Sequence, residues 1–500
     1  MADAGDGILS DPEKLKQEEN STSSGHDETI SLDENLEKTV WRKMDTWVLP
    51  VAAVFYLLSF LDRTNLGNAR IAGLQTDLKM TDYQYSVALT VTYVPYIVAE
   101  LPSNLLLKVR DALPATVGPN LMLPTMLTCW GIITTLQGVV HNYSGLLACR
   151  FFLGLCEGGV FPGLVLYLSF FYPRHKLQMR ISTFFSFASL AGAFGGILAY
   201  GIIHMDGVGE HMSFWAWVFI LEGIVTVLVA LVSFAFFPRS PETARFLSQE
   251  ERHYVVEQLR HYGVIASKQE IDAFSWGEVV KVLFLPQVWF MGVHFFFNGV
   301  ILYGLAYFSP TIISVLGYTD AKAQLMSVPP YAVAFVCALT TSYISDRFQC
   351  RGAICIVGSI LCIIGFAMFL GSYNMHVQYG SLFFSITGTY VLAPSEATWN
   401  AVNVAPHTRK ASAIAFGFIM TNSGGILATW LLGSLSTAPR YTKATITLLI
   451  MSVLLVVVSI INMLFLWTQN KKKAITRSKI TKESEPPNLG DQSAWFNYSL

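Results

Sequence analysis

Twelve long apolar stretches constrain the fold of this chain more than any other feature of its sequence. Each stretch has about 18 to 28 residues, enough for a helix to cross the ~30 Å hydrocarbon core of a membrane. Composition agrees, because 53% of the residues are hydrophobic and only 13% are charged, about half the charged fraction of a soluble domain. The sequence therefore predicts an all-α integral membrane protein with spans near 46–66, 84–107, 117–140, 144–172, 180–203, 213–237, 287–310, 324–345, 352–371, 378–399, 410–435 and 444–468.

One long connection divides the twelve spans into two sets of six. Within it, Ser248 and Glu251 form an S-x-x-E capping box, which predicts a short amphipathic helix. Six spans on each side of a linker are typical of transporters built from two pseudo-symmetric six-helix bundles around a central site. We therefore expect a disordered acidic tail (1–40), an N-terminal bundle (41–237), a cytoplasmic linker (238–286), a C-terminal bundle (287–470) and a second cytoplasmic tail (471–500).

The basic residues of the short loops predict the orientation of the spans. One set of loops carries most of the Lys and Arg residues, including the run from Lys471 to Lys473, whereas the opposite set carries few. Cytoplasmic loops are the ones with an excess of Lys and Arg, and an even number of spans leaves both termini on one side. We therefore expect both termini in the cytoplasm. The final residues, Ser499 and Leu500, contain no retention signal, which favours the plasma membrane.

The remaining composition argues against several other classes of protein. The net charge is −1 and no strongly basic domain is present, so nucleic acid is not an expected partner. The seven Cys residues are scattered without a CxxC pair, which disfavours a disulfide framework and a zinc site. No nucleophile motif, metal-ligand cluster, phosphate loop or repeated pore filter accompanies the spans, so we expect no enzyme activity, metal or cofactor. The expected state is a monomer in the lipid bilayer.

A few charged residues lie inside the apolar spans, where a charge costs ~3 kcal/mol or more and points to function. The first span ends with Asp62, Arg63 and Asn65, and the fourth contains Arg150 and Glu157. Seven residues separate the last two, which places them on nearly one helix face about 10 Å apart, too far for a direct ion pair. Each must therefore find a partner on another helix, such as the first, or face water in a cavity.

Polar residues of other spans are further candidates. A neutral side chain at such depth can contact a substrate or form a hydrogen bond between helices. Glu100, beside Pro102, fits either a gate or a kinked structural position, and Glu396 is expected near the cytoplasmic end of its span. The candidate substrate contacts of the second half are His294, Asn298, Tyr303, Trp399, Asn400 and Asn422, and the candidate gating residues are Glu100, Asp346, Arg347, Arg351 and Glu396.

The sequence contains the segments LDRTNLGNAR (61–70), RFFLGLCEGGVFPG (150–163), SDRFQCRG (345–352) and TWNAVNVAPHTRKASAIAFGFIMTNSGGI (398–426). Together these four segments resemble the allantoate permease branch of the major facilitator superfamily. That fungal group consists of anion:cation symporters and includes nicotinate and pantothenate carriers. The loop at 108–111 departs from the pattern, because it lacks the full superfamily G-x-x-x-D-R-x-G-R/K signature, of which Asp346, Arg347 and Arg351 keep a part.

The resemblance implies a secondary active transporter that couples protons to the uptake of a small organic anion by alternating access. It places Asp62 and Glu157 where related symporters hold protons, and Arg63 and Arg150 where they receive the anion, with Asn65 nearby. An Arg fork matches a carboxylate, and a buried carboxyl beside an Arg can link proton and substrate occupancy. The alternatives are a facilitator or exchanger of organic anions, or a non-transporting nutrient receptor. Nicotinate, allantoate and pantothenate all remain candidate substrates.

Overall fold

The structure is a computed structural model that describes residues 12–108, 118–203, 213–261, 276–318, 320–405, 407–436, 441–480, 485 and 489–500. These residues form α-helices joined by short turns, and no β-strand occurs among them. Helices are expected because a span in hydrocarbon must satisfy all of its backbone hydrogen bonds internally. Residues 1–11 of the predicted acidic tail lie outside the described residues, and the first helix begins at Pro12.

Sixteen α-helices follow one another along the described part of the chain. They are α1 (Pro12–Ile71), α2 (Leu74–Asp77), α3 (Asp82–Lys108), α4 (Pro119–Gln137), α5 (Tyr143–Glu157), α6 (Val160–Phe171), α7 (Arg174–Ile203), α8 (Phe214–Phe236), α9 (Gln249–His261), α10 (Trp276–Val282), α11 (Pro286–Val315), α12 (Asp320–Phe348), α13 (Arg351–Gly371), α14 (Met375–Val402), α15 (His407–Gly433) and α16 (Thr442–Arg477).

All twelve predicted spans coincide with helices. Nine stretches of the described residues are long and apolar enough to cross a membrane. Helices α3, α4 and α14, which are 27, 19 and 28 residues long, lie at the other three predicted positions. The fourth span is divided into α5 and α6 at Gly158 and Gly159. A Cβ atom at Gly158 would lie 2.4 Å from the carbonyl oxygen of Tyr96, so the break rests directly on α3.

Helices of the first six spans pack against helices of the last six around the centre of the molecule. The contacts between the halves join α1 to α11, α3 to α15, and α7 to both α12 and α14. Near the end of α1 the approach is very close, because a Cβ atom at Gly67 would lie 2.3 Å from the carbonyl oxygen of Tyr307. Toward the end that carries the linker, the rings of Phe161 and Phe418 meet with centroids 4.3 Å apart. The halves therefore touch above and below the centre.

Close packing also holds helices together within one half. A Cβ atom at Gly154 of α5 would lie only 2.0 Å from the carbonyl oxygen of Thr92 on α3. Small residues permit such backbone contact between membrane helices, where van der Waals packing replaces the hydrophobic effect as the source of stability. Helices α3 and α5 are thus fixed to each other through their backbones.

The linker contains the predicted capping box at the start of α9. The Ser248 amide donates to Glu251 Oε2 at 2.9 Å, and the Glu251 amide donates to Ser248 Oγ at 3.2 Å. Lys43 on α1 donates to Glu251 Oε1 at 2.5 Å. Partial burial opposes ionisation of Glu251, but the hydrogen bonds from Lys43 and Ser248 outweigh it, so the pKa of this carboxyl lies below its usual value. The ionised Glu251 therefore ties the linker helix to the first span.

The segment 489–500 folds back onto the ends of helices in the second half. The Trp399 indole N–H donates to the Ser499 carbonyl oxygen at 2.9 Å. Asn403 and Ser499 exchange two hydrogen bonds of 2.9 and 2.8 Å, and Arg409 forms a buried ion pair of 2.8 Å with Asp491. These contacts cover the α14 and α15 ends that face the linker side.

Candidate functional site

A small cavity lies between the two halves at the centre of the bundle. Its volume is about 20 Å³, roughly the space that one water molecule needs. Aromatic rings form most of the wall, among them Tyr56, Phe60 and Tyr96. Polar side chains from both halves complete it, namely Ser59, Arg63, Tyr303, Glu396, Thr421 and Asn422.

Arg63 is the charged centre of this cavity. Its Nη2 lies 3.0 Å from Glu157 Oε1, and the same oxygen accepts a hydrogen bond of 2.5 Å from Ser59. Across the cavity, Arg63 Nη1 donates to the Tyr303 hydroxyl at 2.7 Å, and that hydroxyl donates to Asn422 Oδ1 at 3.0 Å. An ion pair of the first half is therefore connected by hydrogen bonds to α11 and α15 of the second half.

Aromatic rings surround the Arg63 guanidinium. Its carbon lies 5.2 Å from the centroid of Tyr96 and 5.1 Å from that of Tyr303. These distances are within the range of cation–π attraction, which is stronger where water is excluded. The rings also present flat apolar faces beside a fixed positive charge. Such a wall can receive a carboxylate at the guanidinium and a planar or apolar body against the rings.

A second group of charges lies behind the cavity wall. Arg150 Nη1 is 3.7 Å from Asp62 Oδ2, and Asn65 donates to Glu222 Oε2 at 2.8 Å. All four side chains are at least 97% buried, and none of them lines the central cavity. Asp62 and Arg63 are adjacent in α1, yet they belong to different groups because successive helix residues point about 100° apart.

Glu222 was not among the residues predicted from the sequence. It is the only charged residue in α8, and it is 98% buried. The rule that singles out intramembrane charges as functional would have found it, because the span 213–237 contains no other acid or base.

The second half contains its own buried polar cluster. His294 Nδ1 lies 2.7 Å from Glu396 Oε2, and Asn298 donates to Glu396 Oε1 at 2.7 Å. His294 Nε2 is 3.0 Å from the Ser459 hydroxyl, and Thr389 donates to Asn298 Oδ1 at 2.6 Å. Three predicted residues thus meet at one place. Glu396 lines the central cavity and lies six residues before the end of α14 at Val402.

Other predicted residues do not line this cavity. Trp399 contacts the segment 489–500, and Asn400 donates to the Ala413 carbonyl oxygen at 3.0 Å. Glu100 is buried in α3. The three candidates Asp346, Arg347 and Arg351 lie where α12 ends and α13 begins, and Arg351 donates to Ser499 Oγ at 2.9 Å and to Gln349 Oε1 at 2.9 Å.

The fold and the cavity between its halves define a multi-pass membrane carrier. Residues 52–429 match the sequence profile of the Major Facilitator Superfamily, and the chain belongs to this family. The family and the fold predicted from the sequence are thereby confirmed. The similar proteins described next are transporters, so this chain is a transporter that binds a small molecule within the membrane, not an enzyme.

Two fungal relatives and one solved structure illustrate the similarity. An uncharacterized transporter of Schizosaccharomyces pombe is 35% identical over 492 residues, which cover 98% of this chain and 95% of the relative. The high-affinity nicotinic acid transporter of Saccharomyces cerevisiae is 29% identical over 489 residues, or 95% of this chain and 88% of the relative. A bacterial homolog of the human lysosomal transporter Spinster, in an inward-facing and unoccupied conformation, has the same fold with a TM-score of 0.59 and 16% identity over 83% of this chain and 95% of that one.

Proposed function

We propose that this protein is a proton-coupled carrier that moves a small organic anion across the plasma membrane by alternating access. The observation that carries the proposal is the Arg63–Glu157 ion pair, which is buried at the cavity between the halves and connected to Tyr303. We further propose that both termini lie in the cytoplasm and that the carrier acts as a monomer, since one chain contains both halves of the site.

Charge balance explains how the ion pair couples the two transported species. Without substrate, Arg63 and Glu157 neutralise each other. An entering carboxylate competes with Glu157 for the guanidinium, which leaves an uncompensated negative charge unless Glu157 takes up a proton. Burying an unpaired charge typically costs about 3–5 kcal/mol. The charges at this ion pair therefore balance in only two forms, the empty carrier and the carrier that holds both anion and proton. Only these two forms can change orientation at a low cost in free energy.

The cavity chemistry favours a carboxylate attached to a small ring or apolar body. Arg63 supplies the positive fork and Tyr303 and Asn422 supply hydrogen-bonding groups beside it. The nicotinic acid transporter among the relatives makes nicotinate the first candidate, with pantothenate and allantoate next. A cavity of about 20 Å³ is too small for any of these acids, so binding requires the halves to move apart.

The buried groups of the second half have proposed roles that follow from their positions. We assign Glu396, with His294 and Asn298 bonded to it, to the far wall of the substrate site. Asp346, Arg347 and Arg351 lie at the linker-side end of the second half, where we propose that they hold the closed state, and Glu100 is proposed to support the gate from α3.

Uptake of labelled acids tests the proposed function. Cells lacking their own carriers would express the protein and receive nicotinate, pantothenate or allantoate at external pH of about 5 and 8, with and without a protonophore. We expect faster accumulation of at least one acid at the lower pH and loss of accumulation with the protonophore, because the neutral loaded carrier requires a proton. Uptake that equilibrates and ignores both treatments would leave a facilitator. No uptake of any acid despite normal surface expression would favour the receptor.

A further inference from the structure

We infer that Asp62 and Glu222 share a single proton and together form a proton-binding site behind the substrate cavity, with Arg150 as its fixed counter-ion. The inference rests on the proposed function and deepens it, because it assigns a second, separate place where the carrier takes up a proton. It also assigns Arg150 to the proton site rather than to the anion.

Three helices bring the site together. Asp62 and Asn65 are three residues apart on α1, so they are neighbours on one face of that helix. Asn65 holds Glu222 of α8 by a hydrogen bond of 2.8 Å. Arg150 of α5 lies 3.7 Å from Asp62 and its guanidinium carbon is 5.6 Å from the ring centroid of Phe219, which is one turn before Glu222 on α8. Two carboxyl groups and one guanidinium therefore occupy one buried space.

The charges of this space do not balance unless a proton is present. One Arg neutralises one carboxylate, and the hydrogen-bond partner of Glu222 is a neutral amide. Glu222 Oε1 and both oxygens of Asp62 are buried and accept no hydrogen bond from the described residues. Two carboxylates that cannot both ionise share one proton. The same requirement does not arise at Arg63 and Glu157, which pair one to one.

No other charged group replaces that proton among the described neighbours of α8. Helix α4 contains no charged residue, and the charged residues of α7 lie within its first seven positions, Arg174 to Arg180, at the linker end. On α5, Glu157 would add only negative charge, and it is held by Arg63 and Ser59. On α1, the Arg63 guanidinium is directed to the cavity.

The shared proton can be released and taken up again as the cavity opens to one side and then to the other. Asp62 is adjacent to Arg63, so a movement of α1 that opens the cavity displaces both residues together. Water that enters the open cavity then accepts the proton as the O–H bond of the shared carboxyl breaks, and the same water solvates the carboxylate that is left. A proton from water on the other side later restores the O–H bond of the Asp62–Glu222 site. Arg150 cannot lose its own proton and remains the counter-charge throughout.

Infrared spectroscopy of the purified full chain in lipid nanodiscs tests the shared proton without any substrate. The wild type should show the carbonyl band of a buried protonated carboxyl at neutral pH. Glu222→Gln and Asp62→Asn should each lose the same component of that band, and the double variant should lose no more, since only one proton is present. Ser233→Ala, a buried hydroxyl on α8 that bonds its own helix, is the matched control and should leave the band unchanged. A band that persists in Glu222→Gln overturns the inference.

The folding of Glu222→Gln is informative in itself. A glutamine has the shape of the protonated carboxyl and can accept the Asn65 hydrogen bond, so the variant should reach the membrane at the wild-type level. A variant that fails to fold would show that Glu222 is ionised in the native protein and would overturn the shared proton.

Transport of nicotinate separates this inference from the proposed function. With one proton at Glu157 and one at the shared site, a gradient of two pH units supports up to about 10,000-fold accumulation when no membrane potential is applied, and Glu222→Gln should lower this limit to about 100-fold, the value for the single proton that remains at Glu157. Full pH-driven accumulation in this variant would mean that the shared proton stays bound throughout the transport cycle, and it would overturn the role of that proton in coupling. A wild type that does not accumulate nicotinate contradicts the nicotinate assignment instead, while the infrared result still decides whether the proton is shared.

Discussion

Replacing Arg63 with alanine is expected to lower anion uptake by about 100-fold or more, which corresponds to ~3 kcal/mol of lost binding in the transported complex. Arg63 is the cavity-lining group that carries a fixed positive charge, and it joins Glu157 to Tyr303. Arg63→Lys should recover only a small part of the activity, because an ammonium is a point charge and cannot make the two contacts of the planar fork. The measurement is initial uptake rate per surface-expressed carrier.

The Arg63→Ala variant also leaves Glu157 without its partner in a buried position, which typically costs about 3–5 kcal/mol of stability. The double variant Arg63→Ala/Glu157→Gln removes that charge as well. We expect it to regain surface expression but not transport. Arg70→Ala is the matched control, because Arg70 also ends α1 and pairs with Asp82 but lies outside the central cavity. Normal uptake in a well-expressed Arg63→Ala carrier would remove Arg63 from the substrate site.

The second large effect is expected at Gly154, where a single added methyl group should prevent normal folding. The Cβ atom of an alanine there would lie 2.0 Å from the Thr92 carbonyl oxygen, and a backbone atom cannot rotate away as a side chain can. Helices α3 and α5 would have to separate, and overpacking of this kind costs about 1–3 kcal/mol and sometimes more. We expect Gly154→Ala to lower the thermal unfolding temperature and to leave a small fraction of the carrier at the cell surface.

Gly201→Ala is the matched control for that experiment. Gly201 also lies in a membrane helix, α7, and a Cβ atom there would meet no atom of the described residues within 4 Å beyond its own helix turn. Because alanine favours a helix over glycine by about 1 kcal/mol, this variant should be as stable as the wild type or slightly more so. Equal stability of the two variants would contradict the close contact between α3 and α5.

Sequence patterns predicted the helices well because each membrane span must be apolar along its own length. Length and hydropathy of 287–310 or 352–371 are local properties, and both stretches are helices in the structure, the first six residues longer than predicted and the second one residue longer. The break between α5 and α6 was not predicted, since it depends on the fit of Gly158 and Gly159 against α3. A pattern along one chain segment contains no information about which neighbour it will meet.

The candidate site shows the same difference between properties of one segment, which the sequence predicts, and contacts between segments, which it does not. Sequence identified Arg63, Glu157 and Tyr303, and the structure brings these three together. It could not reveal that Asp62 and Arg63, adjacent in α1, belong to separate groups, because that depends on where α5 and α8 lie. Trp399 illustrates the converse case. Its polar group, deep in a predicted span, suggested a substrate contact, yet its indole N–H donates to the carbonyl oxygen of residue 499. The two residues are about 100 positions apart in the sequence, so no periodic pattern could predict this contact.

The two ends of the cavity differ in what closes them. Toward the linker, the halves meet through the rings of Phe161 and Phe418, which can turn about their own side-chain bonds. At the opposite end, Gly67 lies against the carbonyl of Tyr307, and a carbonyl has no such freedom. Side-chain rotation can therefore open the linker end, whereas the opposite end opens only when one half rotates as a whole, in a collective rocking of the bundle.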